Sequence, residues 1–251
     1  MTSSYNKGRV YWLGEHRRPD HPSLGDHRAG LELWAQQWLN IPVVKDTTIK
    51  LDIIAENSGL DERVKAWGLP MTRDDAITLI YVELKSRDDV VKSAQDPLVK
   101  SVLSKFPEFR PDRGANVFIA ESKVLIDKKL SSTGFHYFSI CEVLDGAAPE
   151  ECEKKLDALA ERVVNLPVAE KTMTRYTMYR QDSSMDAINT TQLNIHHGAN
   201  YTFLFHKEFQ NQNDMMEFLS DPGFADVITE ANKFIKVTPI TADITTKFQQ
   251  K

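Results

Sequence analysis

Ile77–Phe109 reads ITLIYVELKSRDDVVKSAQDPLVKSVLSKFPEF, and Thr202–Phe234 reads TFLFHKEFQNQNDMMEFLSDPGFADVITEANKF. The two stretches align without a gap at an offset of 125 residues. Leu79, Glu83, Asp89, Asp96, Pro97, Val102 and Phe109 meet Leu204, Glu208, Asp214, Asp221, Pro222, Val227 and Phe234. Between these identities the apolar register agrees, with Val90, Val91, Ala94 and Val99 opposite Met215, Met216, Leu219 and Phe224. An internal repeat of this length is one supersecondary unit used twice. Each copy predicts a strand of eight residues, then a helix that Asp-Pro interrupts and restarts. Asp can cap the new helix and Pro can take its first position.

Outward from the repeat, the flanking segments also correspond. Arg9–Leu13 and Gly134–Cys141 read as first strands, matched at an offset of 126. Glu15–Gly30, rich in Pro, Gly, Asp and His, reads as a loop. Leu31–Leu39 and Ala148–Asn165 follow as helices, the second with Cys152, Leu156, Leu159 and Val163 on one face. Asn40-Ile-Pro-Val43 matches Asn165-Leu-Pro-Val168 and ends each helix. Thr47–Ala55 and Met173–Tyr179 are second strands, a polar connection runs through Met71, and Asn116–Ile126 and Ile235–Thr245 close the two copies. The order is β-α-β-β-α-β twice, the ferredoxin-like arrangement. It predicts an α+β fold with one repeat over residues 8–126 and a second over 134–248, the boundary lying at Asp127–Thr133. Each unit covers one sheet face with helices and leaves the other open. Two copies pressed together by their open faces enclose a barrel with a central cavity, a usual place for a small ligand.

Composition narrows the partners. Of 251 residues, 41% are hydrophobic and 27% charged, and the net charge is -5. With no basic run beyond Arg17-Arg18, nucleic acid and anionic membranes are poor partners. No segment approaches the apolar length of a membrane-spanning helix, and the first residues lack a signal-peptide core. Cys141 and Cys152 form neither a disulfide framework nor a CxxC pair. These features predict a soluble, cytoplasmic protein. Phosphate loops, dinucleotide fingerprints, nucleophile elbows and HExxH are absent, so neither cofactor nor metal is expected. The two copies supply a dimer-like interface within one chain, so a monomer suffices and a homodimer stays open.

The chain resembles the dimeric α/β barrel proteins, in particular the stress-responsive A/B barrel and olivetolic acid cyclase-like members. Ile41-Pro-Val-Val-Lys-Asp46 resembles that family's I-P-x-x-K-D turn, and Gly134–Ile140 resembles its first strand, with His136 on the family's histidine. Asp96–Val99 and Asp221–Phe224 fall where the family carries H-P-x-H. The resemblance implies a small-molecule enzyme of cyclase, isomerase, dehydratase or decarboxylase type, acting on a polyketide-like or aromatic substrate without a cofactor. It also implies that the base would be the second histidine of H-P-x-H, assisted by a tyrosine six residues earlier. This chain has Val99 and Ser93 there in one half, and Phe224 and Phe218 in the other. None of them can carry that proton, so any chemistry lies on the strands.

The likeness further implies which strand face lines the cavity. It selects Val10, Trp12, Gly14 and His16 in the first strand, and His136, Phe138, Ile140 and Glu142 in its counterpart. In the third strands it selects Thr78, Ile80 and Val82, with Phe203, Phe205 and Lys207. The expected catalytic groups are His136 as proton carrier and Lys207 or Tyr137 beside an enolate-type oxygen, with His16 near a mouth. Trp12, Trp34, Trp38, Ile80, Val82, Phe138, Ile140, Phe203 and Phe205 are expected to bind substrate. Each has a plainer reading: His136 as a core histidine, Lys207 as an amine snorkelling to water, Trp34 and Trp38 as core. A one-residue slip would exchange Lys207 for His206. Glu83 and Glu208 read as structural. His16, His21 and His27 lack metal-ligand spacing and read as a polar loop or a lid. Two rival functions stand beside the enzyme. One is a haem protein of chlorite-dismutase type, with an axial ligand among His196, His197 and His206. The other is a non-catalytic binding or stress-response protein.

Overall fold

The computed structural model describes residues 5–17, 24–57, 77–105, 115–128, 134–144, 148–188 and 201–250. The first half contains strand β1 (Asn6–Arg17), helices α1 (Leu24–Leu39) and α2 (Pro42–Thr47), β2 (Thr48–Glu56) and β3 (Ile77–Leu84). It continues through α3 (Arg87–Gln95) and α4 (Pro97–Lys105) to β4 (Ala115–Asp127). The second half has β5 (Phe135–Val143), α5 (Pro149–Val164), α6 (Pro167–Thr172), β6 (Met173–Gln181) and β7 (Thr202–Phe209). It ends with α7 (Gln212–Leu219), α8 (Pro222–Ala231) and β8 (Ile235–Gln249). No helix among the described residues is long and apolar enough to cross a membrane. The polar connection over 58–71, His21, His196 and His197 lie outside the described residues.

Local chemistry sets the helix boundaries. Pro42 and Pro167 each occupy a first helical turn, where a missing N–H costs nothing. The Asp-Pro breaks do the same between α3 and α4 and between α7 and α8. Asp96 accepts from the Leu98 amide at 2.7 Å, and Asp221 accepts from the Phe224 amide at 3.1 Å. Ser86 and Asn211, again 125 residues apart, cap α3 and α7 by accepting from the Asp89 and Asp214 amides. In α5, Cys152, Leu156, Leu159 and Val163 are all buried, as their spacing predicts.

The eight strands close into one antiparallel barrel in the order β1-β3-β2-β8-β5-β7-β6-β4. Within each half the central pairings are β1 with β3 and β4, and β5 with β7 and β8. Closure comes from two pairings between the halves, β2 with β8 and β4 with β6. A closed sheet leaves no unpaired edge. The helices pack outside, so the strands separate three apolar cores. One lies between sheet and helices in the first half, with Trp12, Trp34, Trp38, Ile80, Val82 and Val99. A second lies between sheet and helices in the second half, with Tyr137, Phe203, Phe205, Phe218 and Phe224. The third consists only of strand residues and fills the barrel: Tyr11, Leu13, Leu79, Phe118, Phe138, Ile140, Tyr179, Leu204 and Ile240 among them.

β1 is longer than its apolar stretch. Glu15 and His16, expected in a loop, continue the strand, pairing with Leu79 and Thr78 on one side and with Asn116 and Ala115 on the other. Both side chains are buried. α1 likewise begins at Leu24, inside the segment expected to be loop, and carries His27.

Candidate functional site

The strand face that lines the barrel differs from the expected one in three of the four strands considered. β1 sends Tyr11 and Leu13 inward, so Val10 and Trp12 face the helices. β3 sends Leu79 and Tyr81 inward and turns Ile80 and Val82 out. β7 sends Leu204 inward and turns Phe203 and Phe205 out. Only β5 keeps the expected parity, with Phe138 and Ile140 inside. The error in β1 is a one-residue slip: Tyr11 and His136 are equivalent at an offset of 125, not 126. Because side chains alternate, such a slip moves a whole strand's set to the other face.

The expected catalytic set therefore falls into separate places. His136 faces a cavity at one mouth of the barrel. Tyr137 and Lys207 lie together across the sheet, under the helices of the second half, with the ammonium 5.1 Å from the tyrosine ring centroid. His16 is buried at the far end of β1. The apolar set divides in the same way. Trp12, Trp34 and Trp38 form a stack with ring centroids 5.1 and 5.4 Å apart in the first-half core. Phe203 and Phe205 belong to the second-half core, and Phe138 and Ile140 to the barrel.

The mouth cavity measures about 440 Å³, within the range of small-molecule sites. Ile54, Phe138, Leu204 and Ile244 form its apolar wall. Its polar lining includes His136, His206, Glu208, Arg175, Lys50, Asp52, Arg9, Glu83, Tyr81 and Tyr179. The strand register brings the first three together. His136 on β5 lies directly opposite Glu208 on β7, and Phe138 lies opposite His206. His206 and Glu208 are two residues apart on one strand and so share a face. His136 Nδ1 stands 3.0 Å from His206 Nε2. Phe138 stacks on the His206 ring at 4.3 Å between centroids and 9° between planes, which fixes the imidazole orientation.

Electrostatics keep this pair neutral. Burial, then the nearby Lys50 charge, pushes the His136 pKa down to about 4. Burial and the neighbouring His136 hold His206 well below the usual histidine value. Two neutral imidazoles can share one N–H between them, with a lone pair accepting it. Glu208 moves the opposite way: burial raises its pKa, against the charges of Arg175 and Lys50. Arg9 binds Glu83 at 2.5 Å and Lys50 binds Asp52 at 2.6 Å. Tyr81 and Tyr179 of the lining form an aromatic triangle with Tyr11 of the barrel core, with centroids 5.1 to 5.9 Å apart. Burial holds all three phenols protonated.

Glu208, Glu83, Arg175 and Lys50 line the cavity although the sequence marks none of them as a site residue, and His206, weighed as an exchange for Lys207 or a haem ligand, lines it with them. Glu83 and Glu208, structural by their sequence parity, both line the cavity. A signal existed, since together they make one of the seven identities between the copies. Across the sheet, Lys207 is enclosed by Tyr137, Tyr176, Phe205 and Phe224, with ring centroids 5.1 to 5.8 Å from its Nζ, and lies 3.3 Å from Ser139 Oγ. It does not reach water, as snorkelling would require. The void beside it is about 40 Å³, room for a water or two but not for an aromatic substrate. Only about 20 Å³ is open beside Trp12 and Trp38. His206, one of the haem-ligand candidates, points into the barrel.

No family model matches the chain, and no curated protein matches it in sequence. Solved structures do match over the whole length. An anthrone oxidase-like protein aligns with a TM-score of 0.58 at 8% identity, covering 100% of this chain and 99% of the other. A candidate monooxygenase from Fusobacterium nucleatum aligns at 0.51 and 12% identity, covering 97% and 98%. Another from Lactobacillus acidophilus aligns at 0.50 and 10%, covering 96% and 97%. At these identities the likeness establishes the dimeric α/β barrel fold alone.

Proposed function

We propose that this protein is a small-molecule enzyme whose active site is the cavity at the barrel mouth. There it isomerises or cyclises an oxygen-rich aromatic or polyketide-like substrate by proton transfer. The observation that carries the reading is the neutral His136–His206 pair set in the wall of a 440 Å³ cavity. A neutral imidazole offers a lone pair to an acidic C–H or O–H. Arg175 and Lys50 replace Lys207 as the cations beside a developing oxyanion, since they line this cavity and Lys207 does not. Glu208, its acidity weakened by burial, is suited to return the proton. Phe138, Tyr81 and Tyr179 present ring faces and hydroxyls to a flat substrate. The correspondence between the halves supports a tandem origin in which the second half kept the histidine pair: the positions of His136 and His206 are held by Tyr11 and Tyr81 in the first half.

The test is deuterium exchange of phenylacetone, an aromatic ketone with slow background exchange, followed by proton NMR in D2O. Wild-type protein should accelerate loss of the α-proton signal, and His136→Ala should reduce that acceleration by roughly a hundredfold or more, the usual size of an acid–base contribution. Equal rates in wild type, His136→Ala and protein-free buffer would overturn the reading.

A further inference from the structure

We infer that His136, His206 and Glu208 together form a binding site for a divalent transition ion of the zinc class. The inference rests on the proposed active-site cavity, and it supplies that cavity with a regulator, because an ion on these lone pairs displaces the proton they would accept.

The geometry argues for a shared ion. Imidazole nitrogens bind such metals at about 2.1 Å, so two of them at a right angle on one ion stand about 3.0 Å apart, and at a tetrahedral angle about 3.4 Å. His136 Nδ1 and His206 Nε2 are 3.0 Å apart. Their separation suits a common metal as well as it suits a hydrogen bond. The Glu208 carboxylate is the third donor, and the three donor atoms lie within 4.8 Å of one another. Donors on one ion stand at most about 4.2 Å apart at these bond lengths, a limit that a side-chain torsion of Glu208 can meet. Glu208 has the freedom to do so, because its neighbour Gly134 has no side chain where a Cβ would sit 2.7 Å from Glu208 Cγ.

The frame around the three donors is rigid and the fourth direction is open. Two adjacent strands carry all three side chains, and Phe138 clamps the His206 ring. Three protein donors facing a cavity leave a position for water or a substrate oxygen. Other charges around the cavity are largely spoken for: Arg9 is held by Glu83 and Lys50 by Asp52, while Arg175 is the cross-strand neighbour of Glu208. Two nitrogens and one carboxylate favour zinc, cobalt, nickel or copper over magnesium or calcium, which prefer oxygen. When an ion takes both lone pairs, the N–H shared between the rings moves to the other nitrogen of its own ring.

The experiment uses tag-free, chelator-treated full-length protein titrated with Zn²⁺ by calorimetry and with Co²⁺ by visible absorption, alongside the phenylacetone assay. One ion per chain is expected, with ligand-field bands for Co²⁺ and a raised melting temperature. His136→Ala, His206→Ala and Glu208→Gln should each weaken binding by tenfold or more on the order of known ligand effects. Circular dichroism checks that each variant folds, and Glu208→Gln, the near-isosteric change, carries the test if the histidine variants do not. Absence of saturable binding, or binding unchanged in all three variants, overturns the inference and leaves proton transfer untouched. Stoichiometric binding that the variants abolish, in a protein with no exchange activity at all, refutes the enzyme reading and leaves the cation site standing. If both readings hold, saturating Zn²⁺ suppresses exchange and chelator restores it.

Discussion

Replacing Lys207 by methionine is expected to stabilise the protein at neutral pH. The ammonium is fully enclosed by the second-half core, and burial pushes its pKa from 10.5 down to about 8. That difference, at 1.36 kcal/mol per pH unit, corresponds to about 3 kcal/mol of folding free energy lost to desolvation. Methionine removes that cost while filling nearly the same volume. The sign with pH follows from linkage. The folded pKa lies below the unfolded one, so between about 8 and 10.5 the unfolded chain holds the extra proton and wild-type stability rises with pH. Below about 8 the penalty is present in full. Urea unfolding of chelator-treated wild type and Lys207→Met at about pH 7 and about pH 10 reads the effect. The variant should be ahead by about 3 kcal/mol at the lower pH, and most of that gap should be gone at the higher. A variant less stable than wild type by 1 kcal/mol or more at neutral pH, with a gap independent of pH, would refute the assignment of an unpaired buried charge.

Three further outcomes follow from the packing. Trp34→Ala empties the centre of the first-half core, where the ring is fully buried against Trp38, and should cost about 3–5 kcal/mol in urea unfolding. Phenylacetone exchange by its folded fraction should be unchanged, since Trp34 lies on the opposite side of the sheet from the cavity. Gly134→Ala places a Cβ 2.8 Å from the Phe209 carbonyl oxygen and should lower stability by about 1–3 kcal/mol, read as a lower melting temperature, and weaken Zn²⁺ binding through displacement of Glu208. Asp221→Ala removes the cap on the Phe224 amide and should cost about 1 kcal/mol in the same unfolding assay.

Much of the element order was legible because local chemistry writes it. Thr202–Phe209 is a strand with the expected ends, and α5 buries the face its spacing marks. The Asp-Pro pairs mark where the later helix of each half restarts, whereas Ile41-Pro42 and Leu166-Pro167, expected only to end a helix, each open a further short one. Errors of extent came where polar residues occupy strand positions. Glu15 and His16 are polar in composition but lie within β1, paired with strands on both sides. The site was legible only in part. His136 was singled out, and the cavity does contain it, but its neighbours were read on the wrong face.

The sequence alone determined which segments are strands and helices and in what order, because capping, proline geometry and helical spacing act over a few residues. It also marked the pairs that recur at an offset of 125, Glu83 with Glu208 included. It could not determine which side of a strand looks into the barrel. β3 is buried along nearly its whole length on both faces, and β7 carries apolar residues at both parities, so no alternation distinguishes inside from outside. That choice belongs to the closure of the barrel. The pairings of β2 with β8 and β4 with β6 join segments far apart in the chain, and they fix the register that turns His206 and Glu208 toward His136 while Lys207 turns away. A one-residue shift would reverse every side chain, and only the closed sheet forbids it.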